Sequence, residues 1–376
     1  MRLAVTGYQD TFLTGDPQVS YYQKIFTGRA SYTSENIRLA FNNNFRFGNS
    51  TICTIDNDTC DIITGFYLNF NYENTRSLPQ DIAHAFIQKA ELIVGGQTIV
   101  SLTGEYMALM SDLKDSLRIR ESNDTILRRN CTPLSYGTNT NARQFLVELP
   151  FFGRGYTNAF PLLALNRHTI EVRITMREQN EVNNLPIPFV FLDLQAIYLS
   201  DEHREYFMGK QLDYIIKQPQ LASITLTDLN QIRFKTVIQN PVSELILVVQ
   251  NDSGTLGVFD YSSGVSENYS SYLNDQVTNW KLFLNGQVYF NLDQMSMRAV
   301  QPYEYYGNTP SYKMNLFSIG QTVGPIPSGT VNMSRISSQI FEITLVNNSV
   351  SRKARLYAVN FNVFRCQGGL GGTLFV

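Results

Sequence analysis

The residue types that most often carry out chemistry are few and widely separated in this sequence. Four cysteines occur without a CxxC pair, at Cys53, Cys60, Cys131 and Cys366. Three histidines occur, at His84, His168 and His203. A zinc site needs about four convergent ligands, usually at short paired spacings, so the sequence predicts neither a metal site nor a cofactor. We expect free thiols, with a disulfide between Cys53 and Cys60 as the less favoured alternative.

The densest cluster of titratable side chains is the run from Asp201 to Glu205, with the sequence DEHRE. Consecutive charges usually form a solvated face with its own salt bridges rather than a catalytic centre. The GxSxG turn of serine hydrolases, the phosphate-binding GxxxxGK loop and the HExxH metal helix are absent from the sequence. The sequence therefore predicts no catalytic residue, and we expect a protein that is not an enzyme.

Charge and hydropathy argue against two classes of partner. The net charge is -2, and the most basic features are Arg128-Arg129 and Arg352-Lys353, which we expect in solvated loops. Binding to nucleic acid needs a cluster of Lys and Arg that displaces counterions from phosphates, so direct binding is not expected. No apolar run reaches the roughly 18 residues of a membrane span, and Leu245–Val249 has the length of one buried strand. Met1–Val5 is too short an apolar start for a secretion signal, so we expect a cytosolic chain.

The chain is poor in charge. Charged residues make up 16% of it, below the roughly 25% of ordinary soluble domains. Asn, Gln, Ser, Thr and Tyr take their place. Such a surface favours large permanent protein contacts, because charges are costly to desolvate there. The composition fits obligate assembly, and it equally fits a β-rich protein with many turns.

Short alternating segments separated by turn residues dominate the sequence and predict half-buried strands. The alternating positions are Ile37, Leu39 and Phe41; Ala90, Leu92 and Val94; Ile170, Val172 and Ile174; Ile232, Phe234 and Thr236; Leu282 and Leu284; and Phe341, Ile343 and Leu345. Helical periodicity predicts only two helices. One covers Asp16 to Phe26, with Pro17 in its first turn, and the other covers Gly104 to Leu117. We expect the apolar stripe of the second helix to cover the end of a sandwich.

Two hairpins show that the halves of the chain resemble each other. Lys89–Ile99 and Trp280–Phe290 both have the pattern strand, turn, strand, and Gly96 matches Gly286 at an offset of 286 - 96 = 190. The dipeptides Gly95-Gly96 and Asn285-Gly286 suit two-residue turns, which need positive φ.

Further matches support a duplication. Each hairpin leads into a short segment ending in methionine, at Met107 and at Met295. Leu194–Ser200 also matches Tyr357–Val363, as closing strands at an offset of 357 - 194 = 163. A duplicated domain with loops of different length explains both offsets, and coincidence between two β-rich halves is the alternative. The duplication predicts two antiparallel sandwiches of similar topology.

Stretches along nearly the whole chain resemble signatures of the major capsid proteins of nucleocytoplasmic large DNA viruses, and they are specific as a set rather than singly. These stretches are Gly15–Phe26, Ile93–Thr98, Ile197–Phe207, Leu212–Gln218, Gln301-Pro302, Pro327–Arg335, Tyr357–Arg365 and Gly368–Gly372. The chain departs from the family pattern at Thr27–Tyr32, which replaces a more basic run but keeps Arg29, and it is short for the family.

The resemblance implies an all-β fold: a double jelly-roll of two eight-stranded antiparallel β-sandwiches with a few short helices. Residues 1–27 would form an N-terminal arm or helix, 28–210 the first jelly-roll with its linker, and 211–376 the second jelly-roll. We expect the boundary between Lys210 and Gln220, with Lys217–Gln220 as the linker. The N-terminal helix either makes contacts beneath a shell or packs only on its own domain.

The function implied by the resemblance is that of a structural major capsid protein. Three chains would form a homotrimer, a pseudo-hexameric capsomer that tiles an icosahedral virus shell and is assembled in the host cytoplasm. The expected partners are other copies of the chain, neighbouring capsomers, penton proteins, minor capsid or cement proteins and internal membrane-associated proteins, with no direct nucleic acid. Two alternatives stay open: a minor capsid protein of the same fold, and a carbohydrate-binding β-sandwich. The second needs exposed aromatic side chains, whereas the only tryptophan, Trp280, belongs to a strand that we expect to be buried.

Overall fold

The computed structural model describes residues 31–72, 81–114, 143–152, 159–182, 184–226, 230–251, 258–262, 275–324, 327–346 and 351–375. Strands dominate these residues, because apolar side chains at every second position reach one face of a pleated strand. The strands of the first half are β1 Tyr32–Ala40, β2 Ser50–Ile55, β3 Ile62–Tyr72, β4 Ile87–Val94, β5 Gln97–Thr103, β6 Arg143–Glu148, β7 Ile170–Met176 and β8 Phe189–Leu199. Its helices are α1 Ile82–Ala85 and α2 Gly104–Lys114, with 3-10 turns at Leu162–Leu165 and Gln179–Val182.

Helix α3, Asp201–Gly209, leads into the second half. The strands there are β9 Leu212–Leu226, β10 Gln231–Thr236, β11 Pro241–Asn251, β12 Val277–Leu284, β13 Gln287–Asp293, β14 Asn315–Ser318, β15 Val331-Asn332, β16 Gln339–Leu345, β17 Arg352–Gln367 and β18 Leu370–Thr373. A π-helical turn at Ser296–Val300 continues into α4, Gln301–Tyr306, and a 3-10 turn covers Met333–Arg335. No helix in the described part of the chain is long and apolar enough to cross a membrane.

The strands of the first half form two antiparallel four-stranded sheets. Sheet A has the order β1-β8-β3-β6, and sheet B has the order β2-β7-β4-β5. Their inner faces meet in a core that includes Phe66 and Leu68 of β3 and Val172 and Ile174 of β7. This interleaved strand order is that of a jelly-roll.

The second half repeats the same topology. Sheet C has the order β9-β17-β11-β14, with β15 added beside β11 and β18 beside β17, and sheet D has the order β10-β16-β12-β13. Strands β9 to β14, β16 and β17 thus take the places of β1 to β8, in the same order. The core of this sandwich includes Trp280, Leu282 and Phe341. The predicted fold of two eight-stranded antiparallel sandwiches is confirmed.

The two predicted hairpins share their turn and their irregularities. The turn residues Gly95 and Gly96 have φ of 55° and 83°, and Asn285 and Gly286 have φ of 49° and 86°. A β-bulge follows Leu92 in the ladder of β4 with β5, and another follows Leu282 in the ladder of β12 with β13. The positions again differ by 282 - 92 = 190, so the offset found in the sequence is also the structural one.

The closing strands were matched correctly as strands but in the wrong register. Aligning the bulge between Ile63 and Gly65 of β3 with the bulge between Val242 and Glu244 of β11 pairs Leu194 with Ala358. The offset is therefore 358 - 194 = 164, not 163. A slip of one residue exchanges the two faces of a strand. Leu194 and Ala358 both point into the core of their own sandwich, whereas Tyr357 points out of its sandwich toward the first.

The match between Met107 and Met295 is also corrected. The structural offset of 190 pairs Met107 with Met297, and both of these side chains are buried. Met295 is 61% exposed and occupies the place of Glu105. The predicted helix from Gly104 is confirmed as α2 over its described length, and its apolar stripe is buried. The predicted helix at 16–26 and the pair at 128–129 lie outside the described residues.

Two further expectations fail. Lys217–Gln220 is not a linker but lies inside β9, which pairs with β17 along its whole length; Pro219 is tolerated because β9 is an edge strand. Arg352-Lys353 is not a solvated loop. Arg352 begins β17 with only 1% of its surface exposed, and its guanidinium donates to the carbonyl of Val346 at 2.9 Å.

Strand β11 of sheet C is buried on both faces, and this explains the unbroken apolar run Leu245–Val249. On β11, Leu245 and Leu247 face sheet D, whereas Ile246 and Val248 belong to the core cluster of the first sandwich. An antiparallel strand normally alternates between apolar and polar, so a continuous apolar run requires a second cover. That cover is the first sandwich.

Candidate assembly surfaces

The structure keeps the cysteine and histidine side chains, which could carry out chemistry, apart from one another. Cys53, Cys60 and Cys366 are buried free thiols, and burial raises the pKa of Cys53 to about 11 and of the other two to about 12. His84 Nδ1 lies 3.0 Å from a carboxylate oxygen of Asp81 in a buried pair. Within the described residues, no three His, Cys, Asp or Glu side chains come together as metal ligands. Cys131 lies outside those residues.

The titratable run Asp201–Glu205 lies on α3, a helix with no buried residue. Arg204 reaches across to Asp61, at 3.5 Å between Nη2 and Oδ1. Trp280 is fully buried, with its ring 5.1 Å from that of Phe290 in an edge contact. It is therefore not placed to stack on a sugar.

The most extensive polar contact between the two sandwiches lies where the outer face of sheet C covers α2 and β5, an interface that we call the intrachain joint. Glu105, near the start of α2, is its centre. Both guanidinium nitrogens Nε and Nη2 of Arg355 donate to the two carboxylate oxygens, at 2.6 and 2.5 Å. The hydroxyls of Tyr357 and Tyr261 donate to the same carboxylate at 2.5 and 2.8 Å.

The local sequence places Glu105 by helix capping. Thr103 Oγ1 accepts from the backbone N–H of Tyr106 at 3.1 Å and so begins the helix, which fixes the direction of the Glu105 side chain. Burial raises the pKa of Tyr357 and Tyr261 well above the ordinary value, and the neighbouring carboxylate adds to the effect. Burial opposes the charge of Arg355, but Glu105 outweighs it and raises the pKa of the guanidinium. The joint thus holds one buried ion pair with several hydrogen bonds.

Strand edges extend the intrachain joint. The amide of Gln218 on β9 donates to the carbonyl of Ile99 on β5 at 2.6 Å, and Gln97 donates to Thr373 on β18 at 2.8 Å. Ile99 is 1% exposed as a result. The second sandwich therefore covers β5, which would otherwise be an open edge of sheet B.

The counterparts of these two covered surfaces are exposed on the same chain. The first counterpart is β13 with the helical residues 294–306, which we call the open edge. Tyr289 occupies the place of Ile99 and is 41% exposed, and Tyr303 on α4 is 68% exposed. The second counterpart is the outer face of sheet A, which we call the open face. There Phe189 is 66% exposed.

A polar network lies at the centre of the open face. Arg38 on β1 donates to both carboxylate oxygens of Asp193 on β8, at 2.7 and 2.9 Å, and Asn69 on β3 donates to Asp193 at 2.9 Å. The hydrogen bonds of Arg38 lower the pKa of Asp193, despite partial burial. The guanidinium also lies 5.4 Å from the ring centre of Phe191. The face therefore combines aromatic surface with a preformed ion pair.

The sequence did not reveal these surfaces, because the outward face of any half-buried sheet has the same alternating pattern. One signal was available. The offset of 190 pairs Ile99 with Tyr289, two apolar residues just after equivalent turns. Because Val100 and Phe290 beside them face the cores, both Ile99 and Tyr289 point away from the core of their own sandwich.

Comparison with known proteins gives consistent results. A model described as "Major capsid protein N-terminus" matches residues 20–204, and one described as "Large eukaryotic DNA virus major capsid protein" matches residues 203–372. The chain is similar to the major capsid protein of Pyramimonas orientalis virus, at 25% identity, with 100% of this chain and 98% of that protein aligned.

Solved structures have the same fold. VP54 of the virus PBCV-1 superimposes with a TM-score of 0.82 at 20% sequence identity, over 95% of this chain and 100% of that one. The Faustovirus major capsid protein superimposes with a TM-score of 0.69 at 10% identity, over 95% of this chain and 94% of that one. At these identities the likeness establishes the fold, a double jelly-roll.

Proposed function

Since the chain belongs to the family of large eukaryotic DNA virus major capsid proteins, a structural component of capsids, we propose that three copies form a pseudo-hexameric capsomer. One observation carries the proposal. The two surfaces of the intrachain joint contact each other within the chain. The counterpart of each surface, the open edge or the open face, is exposed on the same chain.

The geometry of the repeat favours a closed ring. An open edge that docks on the open face of the next chain is a heterologous contact, which builds either a ring or a filament. If this contact repeats the rotation that relates the two sandwiches at the intrachain joint, the sandwiches form a ring of six positions. Each chain fills two positions, so the ring closes after three chains. The low charge of the chain, 16%, suits the large desolvated interfaces of such an assembly.

The remaining assignments are proposals of the same kind. We propose the sandwiches as residues 28–210 and 211–376, with 1–27 as an arm, and no enzymatic activity. Capsomers would tile an icosahedral shell in the host cytoplasm, beside penton, minor capsid or cement proteins and internal membrane-associated proteins, without direct contact to nucleic acid. Exposed apolar residues outside the strands, such as Phe375, are available for such partners.

Negative-stain electron microscopy of the purified protein tests the proposal. We expect three-lobed particles with a nearly hexagonal outline and, at high concentration, hexagonal plates. Single wedge-shaped particles of one chain would contradict it.

A further inference from the structure

We infer that Met295 of one protomer packs against Phe191 of the next, at the place where Glu105 and Arg355 meet inside each chain. The inference rests on the proposed trimer and assigns the residues of its joint. At this position the joint between chains has an apolar contact where the joint within the chain has an ion pair.

The first step is the equivalence of Met295 and Glu105. Their positions differ by the structural offset of 295 - 105 = 190. The helical segments that carry them begin with the same cap. Thr103 Oγ1 accepts from the N–H of Tyr106 at 3.1 Å, and Asp293 Oδ1 accepts from the N–H of Ser296 at 3.1 Å. Because the β-bulge, the hairpin turn and the helix cap all recur at the offset of 190, we expect the side chain of Met295 to leave its helix in the same direction as that of Glu105.

The second step is the equivalence of Phe191 and Arg355. The bulges of β3 and β11 align β8 with β17 at an offset of 164, and 355 - 164 = 191. Both side chains lie on the outer face of their sheet. Arg355 reaches Glu105 there, whereas Phe191 is half-buried beneath the guanidinium of Arg38 on the open face.

The third step is that both members of the ion pair are replaced together. A lone Glu at 295 would face the apolar ring of Phe191. It would also add a third carboxylate to Asp193 and Asp293 around the guanidinium of Arg38. A lone Arg at 191 would face the apolar Met295 and stand beside Arg38, a like charge. Burying a charge in either arrangement is strongly unfavourable. Met and Phe instead form a sulfur–aromatic contact, and the flexible thioether adapts to the ring. Met295 is 61% exposed in the single chain, as expected for a residue that a partner covers.

A neighbouring position is consistent with this register. The same offsets place Asp293, the counterpart of Thr103, near Asp193 of the next protomer, the counterpart of Tyr357. Two facing carboxylates would repel each other, but Arg38 is bonded to Asp193 and its side chain is 55% exposed. It stands where it can neutralise both carboxylates.

The test introduces charged residues at the joint between chains and measures the rate at which trimers exchange subunits. Tagged and untagged trimers are mixed, and native mass spectrometry follows the appearance of mixed trimers for four proteins: wild type, Met295→Glu, Phe191→Arg and the double variant. Each single variant should exchange at least about tenfold faster than wild type or dissociate into monomers, since it buries a charge opposite an apolar side chain and beside a like charge. The double variant should return to within about threefold of wild type, because it recreates the pair seen at Glu105 and Arg355.

Two controls accompany the test. Met295→Leu keeps the apolar contact, and Val237→Glu adds a carboxylate at an 80% exposed site near the far edge of sheet D; both should exchange like wild type. Rescue by the double variant excludes misfolding as the cause of the single effects. Single variants that exchange at the wild-type rate, or a double variant no better than the worse single one, would overturn the assignment while leaving a wild-type trimer intact. A monomeric wild type would overturn the proposed capsomer itself, and this inference with it.

Discussion

Replacing Glu105 by methionine is expected to destabilise the chain strongly, and a second replacement, Arg355→Phe, is expected to restore much of the loss. In the wild type, one carboxylate accepts from Arg355, Tyr357 and Tyr261 inside the intrachain joint, and Glu105 is 5% exposed. The single change removes the counter-charge of a buried guanidinium and an acceptor for two hydroxyls.

The loss of stability depends on which hydrogen bonds of Arg355 and the two tyrosines remain after each replacement. Removing one partner of a buried ion pair costs about 3 to 5 kcal/mol. Gln250 Oε1 still accepts from Arg355 at 2.6 Å, so the lower end, about 3 kcal/mol, applies. In the double variant no charge is left unpaired. Tyr357 stays 3.2 Å from Thr103 Oγ1, so mainly the Tyr261 hydroxyl loses its acceptor, at a cost of about 1 to 2 kcal/mol.

Urea denaturation followed by tryptophan fluorescence measures both values. Trp280 is the only tryptophan and is fully buried in the core of the second sandwich, so its emission reports the unfolding of that half. All variants are compared at one protein concentration, because assembly adds concentration-dependent stability. A loss below about 1 kcal/mol for Glu105→Met, or a double variant less stable than that single one, would refute the reasoning.

Three other perturbations have defined outcomes. Gly286→Val and Gly96→Val should each cost about 1 to 3 kcal/mol in urea denaturation, since both positions have φ above +80° and an added Cβ meets no described atom within 4 Å; a neutral effect would contradict the hairpin assignment. A thiol reagent at pH 8 should leave three cysteines of the folded chain unlabelled, because raised pKa values reduce their thiolate about 100-fold or more, and dithiothreitol should not change the melting temperature. These cysteines are Cys53, Cys60 and Cys366. The pKa of Asp193 is lowered in the folded state, so its stabilising effect is complete above the unfolded pKa of about 4 and is lost as the pH falls through the folded value. Asp193→Asn should therefore lower stability at pH 7 and flatten the acid limb of the stability profile, and an unchanged acid limb would exclude the ion pair with Arg38.

The features that local chemistry dictates could be predicted from the sequence. Two-residue hairpin turns need positive φ, so Gly95-Gly96 and Asn285-Gly286 mark their turns unambiguously. The apolar stripe of α2 likewise predicts a buried helix face. Because both hairpins recur at one offset, the sequence predicted a duplication and two antiparallel sandwiches, whereas the eight-stranded jelly-roll form was implied by the family resemblance.

The features that depend on distant partners could not be predicted. Glu105 and Arg355 are 250 positions apart, and nothing in either neighbourhood indicates that they meet. The closing strands were misaligned by one residue because both faces of β17 are apolar: Tyr357 faces the first sandwich, and Leu356 and Ala358 face their own core. A pattern of period two identifies the face of a strand only when one face is polar.

Burial of a charged residue was missed for a related reason. Arg352 follows a sequence stretch that contains Asn347, Asn348 and Ser349, and it has a basic neighbour; such a pattern is typical of a solvated turn. Its guanidinium instead bonds the carbonyl of Val346, just after β16, where the chain passes from sheet D to sheet C, and the polar residues of the sequence do not reveal that crossing. Likewise, the open edge and open face become visible as counterparts only after the intrachain joint is known.

The central claim, that surfaces joined once within the chain are joined again between chains, is tested most directly by light scattering on the purified protein. A six-position ring of two-sandwich chains gives a mass close to three times the 42.8 kDa of one chain. An obligate interface of this kind typically buries more than about 2,000 Å², so the mass should change little on dilution through the micromolar range. A monodisperse, soluble monomer at micromolar concentration would contradict the account.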